Sequence, residues 1–174
     1  MDSKNDSRPV IGVGVLIWRD KKLLLGKRLL NGQQKDQAFC WQFPGGHLET
    51  NESTIACAQR EVREETGLEI MAMRHIGMTD KPFSVAGRQY ITLMVSSEYK
   101  SGEAKVLEPD KCASWQWFDY RQLPTPLFEP INLFLAQNSL IQSLGSSVTR
   151  QQGDLYAMHE AASVLLDIPL NEHK

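Results

Sequence analysis

Residues 46–68 read GHLETNESTIACAQREVREETGL, and Glu61, Glu64 and Glu65 within them are the groups of this chain best placed to do chemistry. On a helix, positions three and four apart are neighbours, so at ~100° per residue the three carboxylates fall within one sector of the surface. Like charges at that spacing repel by about 0.2–0.5 kcal/mol when exposed, and by more when partly buried. A hard divalent cation turns that repulsion into a binding site. Mg²⁺ takes oxygen ligands, keeps several waters and is commonly shared between carboxylates and substrate phosphates. Such an ion neutralises the non-bridging oxygens of a pyrophosphate and acidifies a bound water, which a carboxylate can deprotonate or orient. Taken alone, EVREE reads as readily as a solvated acidic face. Its flanks decide.

The flanks build a helix. Thr50, Asn51 or Ser53 can cap its N-terminus, and Glu52 suits the positive end there. Ile55, Ala58 and Val62 recur at helical spacing as an apolar stripe. Gly67 is a good stop, because a left-handed residue after the last turn suits glycine. Arg60 stands one turn before Glu64 and can pair with it.

Gly46, Glu52, Arg60, Glu61, Val62, Glu64, Glu65, Gly67 and Leu68 together fill the frame G-x5-E-x7-R-E-U-x-E-E-x-G-U, with U aliphatic. That frame is the signature of the Nudix hydrolases, and this sequence resembles the family without a departure from it. The resemblance implies a metal-dependent pyrophosphohydrolase of α/β (α+β) class, an α/β/α sandwich with a mixed β-sheet between helices. It implies Mg²⁺ as cofactor, with Mn²⁺ as a substitute. Glu64 and Glu65 would be the main ligands, Glu61 a ligand or the general base, and the Gly45 carbonyl a further ligand. Arg60 would belong with Glu61 and Glu64 to the catalytic set. Glu52, read as facing elsewhere, and Gly67 would be structural.

The elements around the helix fit that layout. Residues 1–8 read as a loose polar tail, 9–144 as the domain, and 145–174 as a linker plus a C-terminal helix of unassigned role. Strands are expected over Val10–Trp18 and Lys22–Gly26, with a turn between them, then a polar loop from Asn31 to Ala38. Trp41 to Gly46 reads as a short strand and tight turn leading into the helix. Further strands are expected at 69–78, 88–97 and 115–118, with a loop at Lys81-Pro82-Phe83, a turn at 101–103 and a helix over about 130–144. Of Trp115 and Trp117, only one is expected to face the core. Gly12 and Gly14 are not a dinucleotide fingerprint, because Ile17 stands at the third glycine and no helix follows; close packing or a bulge is the better reading.

Composition bounds the partners. The chain has 174 residues, 41% hydrophobic and 23% charged, which suits one ordinary domain with a real core. A net charge of −2 supplies no basic field for a nucleic-acid polymer, leaving small nucleotides as easier partners. No apolar run approaches ~18 residues and the N-terminus is polar, so neither a membrane span nor a signal peptide is expected. Cys40, Cys57 and Cys112 have no zinc-type spacing and read as reduced packing residues of a cytoplasmic protein.

Several segments resemble the MutT-type nucleoside triphosphate diphosphatases within the family: Leu24-Leu25-Gly26-Lys27-Arg28, Phe43 to Glu49, Tyr90 to Leu93, and Glu108 to Lys111 leading into Trp115. The resemblance covers about residues 9–137 and implies that an NTP or dNTP, modified ones included, is cut to the monophosphate and pyrophosphate. Other members act on nucleotide sugars, dinucleoside polyphosphates or capped RNA, and a non-catalytic nucleotide sensor on the same fold is a third reading. A homodimer is the family-based expectation. By the same resemblance Arg28 would meet phosphate oxygens, a role that suits a guanidinium fork. Gly46 would lie against the substrate. His47 reads equally as a solvated histidine or as a phosphate or base contact. Phe128, with Leu127, reads as a base pocket or as plain core. Lys27 reads as a surface charge or a second phosphate contact, and Glu108 first as a rim charge.

Overall fold

The computed structural model describes residues 8–29, 39–79, 83–85 and 88–142. The expected loop at 31–38, Lys81 and Pro82, and the linker and helix after 144 lie outside those residues. In chain order the elements are β1 (Val10–Arg19), β2 (Lys22–Leu29), β3 (Phe39–Gln42), β4 (Gly45–His47), α1 (Thr54–Thr66), β5 (Glu69–Met78), β6 (Phe83–Val85), β7 (Arg88–Ser101), β8 (Cys112–Asp119) and α2 (Glu129–Gln142).

A tight hairpin starts the sheet. Asp20 and Lys21 both take positive φ, 48° and 61°, as a two-residue turn matched to strand twist requires. The turn pairs Trp18 with Leu23 and Arg19 with Lys22, and there β1–β2 pairing ends. The two strands then part. The first half of β1 takes β4 as its antiparallel neighbour, while the far half of β2 takes β3. On its other edge β1 runs parallel to β7 from Val10–Tyr90 to Trp18–Glu98. β5 and β6 pair antiparallel with β7, and β8 with β2, so the sheet is mixed.

Side-chain alternation along β1 divides two cores. Val13, Val15 and Ile17 pack with Cys57, Ala58 and Val62 of α1 and with Val95. Leu16 and Trp18 face the other way, toward Met94 and toward Ile131 and Phe134 of α2. A mixed sheet with a helix on each side is the expected architecture.

The details differ from expectation in several places. β2 runs to Leu29, past the expected end at Gly26, and so takes in Lys27 and Arg28. Trp41–Gly46 resolves into two strands on either side of Pro44 (β3 and β4), because each finds a different partner where β1 and β2 diverge. Phe83 begins the short strand β6, paired with Tyr90, instead of closing a loop. β7 extends to Ser101, and the chain turns at Gly102, where φ is 102°. Trp115 and Trp117 both pack toward the α1 core, because residues two apart on a strand share a face.

Gly26 marks a tight join between β2 and β8. A Cβ there would lie 2.6 Å from the Trp115 ring, whose Nε1 donates to the Glu65 carbonyl at 3.2 Å. Gly26→Ala is expected to destabilise the fold by about 1–3 kcal/mol through overpacking. Thermal unfolding checks it, and an unchanged melting temperature would show that the ring moves freely.

Candidate active site

α1 is closed at both ends by its own sequence. Ser53 is the N-cap, with its hydroxyl accepting from the Ala56 N–H at 3.1 Å. Gly67 ends the helix with φ 72°, and its N–H donates to the Arg63 carbonyl at 3.0 Å. The helix buries Cys57, Ala58, Val62 and Thr66 against the sheet, and Glu65 with them. The three glutamates therefore stand in graded exposure: Glu64 open at 56%, Glu61 at 14% for its side chain, and Glu65 at 8% for the whole residue.

Arg60 ties this face together. Its Nε and Nη2 grip both oxygens of Glu52 at 2.8 and 2.9 Å. Nη1 reaches Glu61 at 2.8 Å and Glu64 at 3.2 Å, and Nη2 also donates to the His47 carbonyl at 3.2 Å. The Arg60 bond holds the Glu52 carboxyl down at about 2, and the Glu52 bond in turn raises the already high pKa of Arg60. Glu52 does not face elsewhere, as helical spacing suggested. It precedes the N-cap, so helical periodicity does not apply to it, and its side chain reaches the same guanidinium as Glu61.

β4 delivers backbone to this acidic face. The Gly45 N–H donates to Glu65 Oε2 at 2.9 Å. The Glu61 carboxylate lies where a side chain on Gly46 would have to be, and Gly45 takes φ 150° with the Val13 carbonyl against it. Burial pushes the Glu65 carboxyl from the usual 4.5 up to about 7, and the Gly45 N–H partly opposes the shift.

Among the described residues, no three His, Cys, Asp or Glu side chains converge as a ready-made metal cage. Arg60 holds Glu61 and Glu64, while Gly45 holds Glu65, so each carboxylate has a partner of its own. The donor set still fits a hard divalent ion: Glu61, Glu64 and Glu65 offer oxygens only, and side-chain-free Gly46 leaves room beside Glu61.

Next to the carboxylates lies a cleft of about 430 Å³, walled by Gly12, Gly14, Arg28, Gln42, His47 and Phe128 among others. The four residues expected to bind substrate, Arg28, Gly46, His47 and Phe128, all line it. Arg28 Nη1 donates to Gln42 Oε1 at 2.7 Å, and its guanidinium lies 4.9 Å from the Phe128 ring centre. His47 stacks on Tyr90 with centroids 5.8 Å apart. Phe128 reaches this wall because its N–H bonds the Trp41 carbonyl at 2.8 Å, which fastens it beside β3.

Gln42, Tyr90, Thr92 and Met94 also line the cleft, and residue types alone did not single them out. Their signal lies in strand alternation: β7 pairs Thr92 and Met94 with Gly12 and Gly14, so the glycines leave a floor without side chains. Lys27 and Glu108 do not line the cleft; Lys27 sits over Phe39 at 4.2 Å, and Glu108 pairs with Lys111 at 2.8 Å.

Comparison with known proteins is consistent in kind. The NUDIX domain family profile matches residues 8–137. An NAD-capped RNA hydrolase NudC of Pseudomonas entomophila is 33% identical over 112 residues, 63% of this chain and 36% of that protein. An ADP-ribose pyrophosphatase of Methanocaldococcus jannaschii is 30% identical over 123 residues, covering 70% of this chain and 68% of its own length. The chain thus spans about a third of the first relative and two thirds of the second. The crystal structure of a MutT NUDIX hydrolase from Burkholderia pseudomallei superposes with a TM-score of 0.63 at 30% identity, covering 75% of this chain and 98% of that one. No helix among the described residues is long and apolar enough to cross a membrane.

The raised Glu65 carboxyl sets a pH dependence. The folded chain holds this proton more tightly than the unfolded chain, so the related stability is full below pH 4.5 and is lost as pH rises through about 7. In chelator, wild type is expected to lose roughly 3 kcal/mol between pH 4 and 8 from this group, a loss that Glu65→Gln lacks. Denaturant titrations of both proteins at the two pH values check it. An equal change in both would remove Glu65 as the cause.

Proposed function

The chain belongs to the NUDIX family, and from that premise we propose that it hydrolyses a nucleoside triphosphate to the monophosphate and pyrophosphate by divalent-metal-dependent attack of water at phosphorus. One observation carries the reading. The three residues of β4 join the acidic helix to the cleft: Gly45 bonds Glu65, Gly46 lies under Glu61, and Gly46 and His47 line the cleft. A nucleoside in the cleft would present its phosphates at the glutamates. The cleft volume stands near the lower end of the about 300–1,000 Å³ usual for small-molecule sites, which suits one nucleoside better than two.

In this reading Glu61, Glu64 and Glu65, with the Gly45 carbonyl, hold the ion, Mg²⁺ by preference and Mn²⁺ as substitute. When bound, it supplies charge neutralisation to the phosphate oxygens and acidifies water. Glu64, the most exposed of the three, has the freest access to the attacking water; Glu61 is the other candidate base. Arg60 orients both by its bonds to them, and Glu52 fixes Arg60. The catalytic set is Glu61, Glu64 and Arg60, with Arg28, Gly46, His47 and Phe128 touching the nucleotide.

The names of the relatives support a nucleotide with a pyrophosphate linkage: an NAD cap, ADP-ribose and, in a CTP pyrophosphohydrolase of Escherichia coli 38% identical over 76 residues, CTP. The triphosphate is preferred here for the size of the cleft and the MutT-like segments.

Glu64→Gln is expected to keep the melting temperature while lowering Mg²⁺-supported turnover roughly 10²-fold or more, since a neutral amide is a poor ligand and no base. A turnover screen over NTPs, dNTPs, nucleotide sugars and dinucleoside polyphosphates tests the substrate. Monophosphate and pyrophosphate from a triphosphate support the reading. Turnover confined to the sugars or dinucleotides replaces it.

A further inference from the structure

Gln42 is only 5% exposed, yet it lines the cleft, and its amide is committed in one direction. Arg28 Nη1 sits 2.7 Å from Gln42 Oε1. A guanidinium has five N–H donors and no acceptor, so only the amide oxygen can face it. The Gln42 NH₂ is thereby turned away from Arg28. Among the described residues no hydrogen-bond acceptor meets that NH₂ or the other N–H groups of Arg28. The guanidinium lies over Phe128, and Phe43, Met94 and Ile131 complete an apolar surround. One wall of the cleft therefore offers donors without an acceptor, in company suited to a flat aromatic ligand.

We propose that Arg28 and Gln42 read the nucleobase, selecting an edge with two adjacent acceptors, N3 and O2 of cytosine or N7 and O6 of guanine. Adenine presents its N6 amino group beside N1 or N7, which sets donor against donor. Uracil presents its N3–H between two carbonyls and loses one of the two bonds. The inference rests on the nucleotide reading above. It moves Arg28 from the phosphates, where resemblance put it, to the base. The apolar surround favours this, since the charged end of the substrate belongs with the glutamates and β4. A site built to hydrogen-bond one edge discriminates strongly, because the wrong edge leaves buried donors unmatched.

The test is binding of CMP, GMP, AMP and UMP, measured by calorimetry with wild type and Gln42→Glu. Wild type is expected to bind CMP or GMP about tenfold or more tighter than AMP. Gln42→Glu replaces the donor with an acceptor of the same shape, so the ratio is expected to shift toward AMP by about tenfold. Equal wild-type affinities for all four nucleotides would overturn the proposal whether or not the variant folds. So would a uniform loss in a folded Gln42→Glu, which would mean the pair grips phosphate. NTP turnover is scored separately: a base ranking without turnover sinks the hydrolase reading alone, and turnover without a base ranking sinks this one.

Discussion

Arg60 is the residue on which the acidic face depends. Three glutamates on one helix flank would repel one another and splay, and Glu52 adds a fourth charge from the loop before it. A single guanidinium answers two of the three and Glu52 as well, and also bonds the His47 carbonyl. The same contacts bind three pieces of chain: the turn before α1, the helix itself and the end of β4. A lysine could not substitute, because a point charge lacks the fork that grips both oxygens of Glu52 while reaching Glu61. Glu65 is left to the Gly45 N–H, which only partly opposes the burial that pushes its carboxyl up.

The cleft has a different origin. It opens where the β1–β2 hairpin stops pairing and each strand takes a new neighbour. Side chains on β2 and β3, Arg28 and Gln42, then face residues of β1 and β7 across a gap that Gly12 and Gly14 keep free. The acidic helix and the cleft thus belong to separate parts of the fold, the one to α1 and the other to a divided sheet. The short strand β4 is the seam between them.

Much of the helix was legible in sequence because its signals are local. A cap, an apolar stripe and a terminal glycine lie within a few residues of one another, and the structure places each where its chemistry requires. Glu52 departs from its expected direction because it stands before the Ser53 cap, in a loop where helical periodicity does not hold. The Trp115–Trp117 expectation failed on strand geometry alone. Gln42 and Thr92 could not be found from residue type, since their importance comes from which strands flank them. That Gly12 and Gly14 are a floor follows only from their pairing with Thr92 and Met94, far along the chain. Divergence of a sheet is a long-range property, and no local pattern encodes it.

The parallel β1–β7 pairing also governs the order in which the molecule can be assembled. Each partner lies 80 positions downstream, Val10 with Tyr90 and Trp18 with Glu98. Each doubling of a closed loop costs only about 0.6 kcal/mol in entropy, so this closure is roughly 2 kcal/mol dearer than that of a ten-residue turn. Its cost in time is larger, because non-local pairing is what slows folding. A growing chain that has just completed α1 already carries Arg60 and all three glutamates. It has no cleft floor until β7 arrives to lie along β1. The acidic helix face therefore exists as a local element well before the cleft on the other side of β4 does.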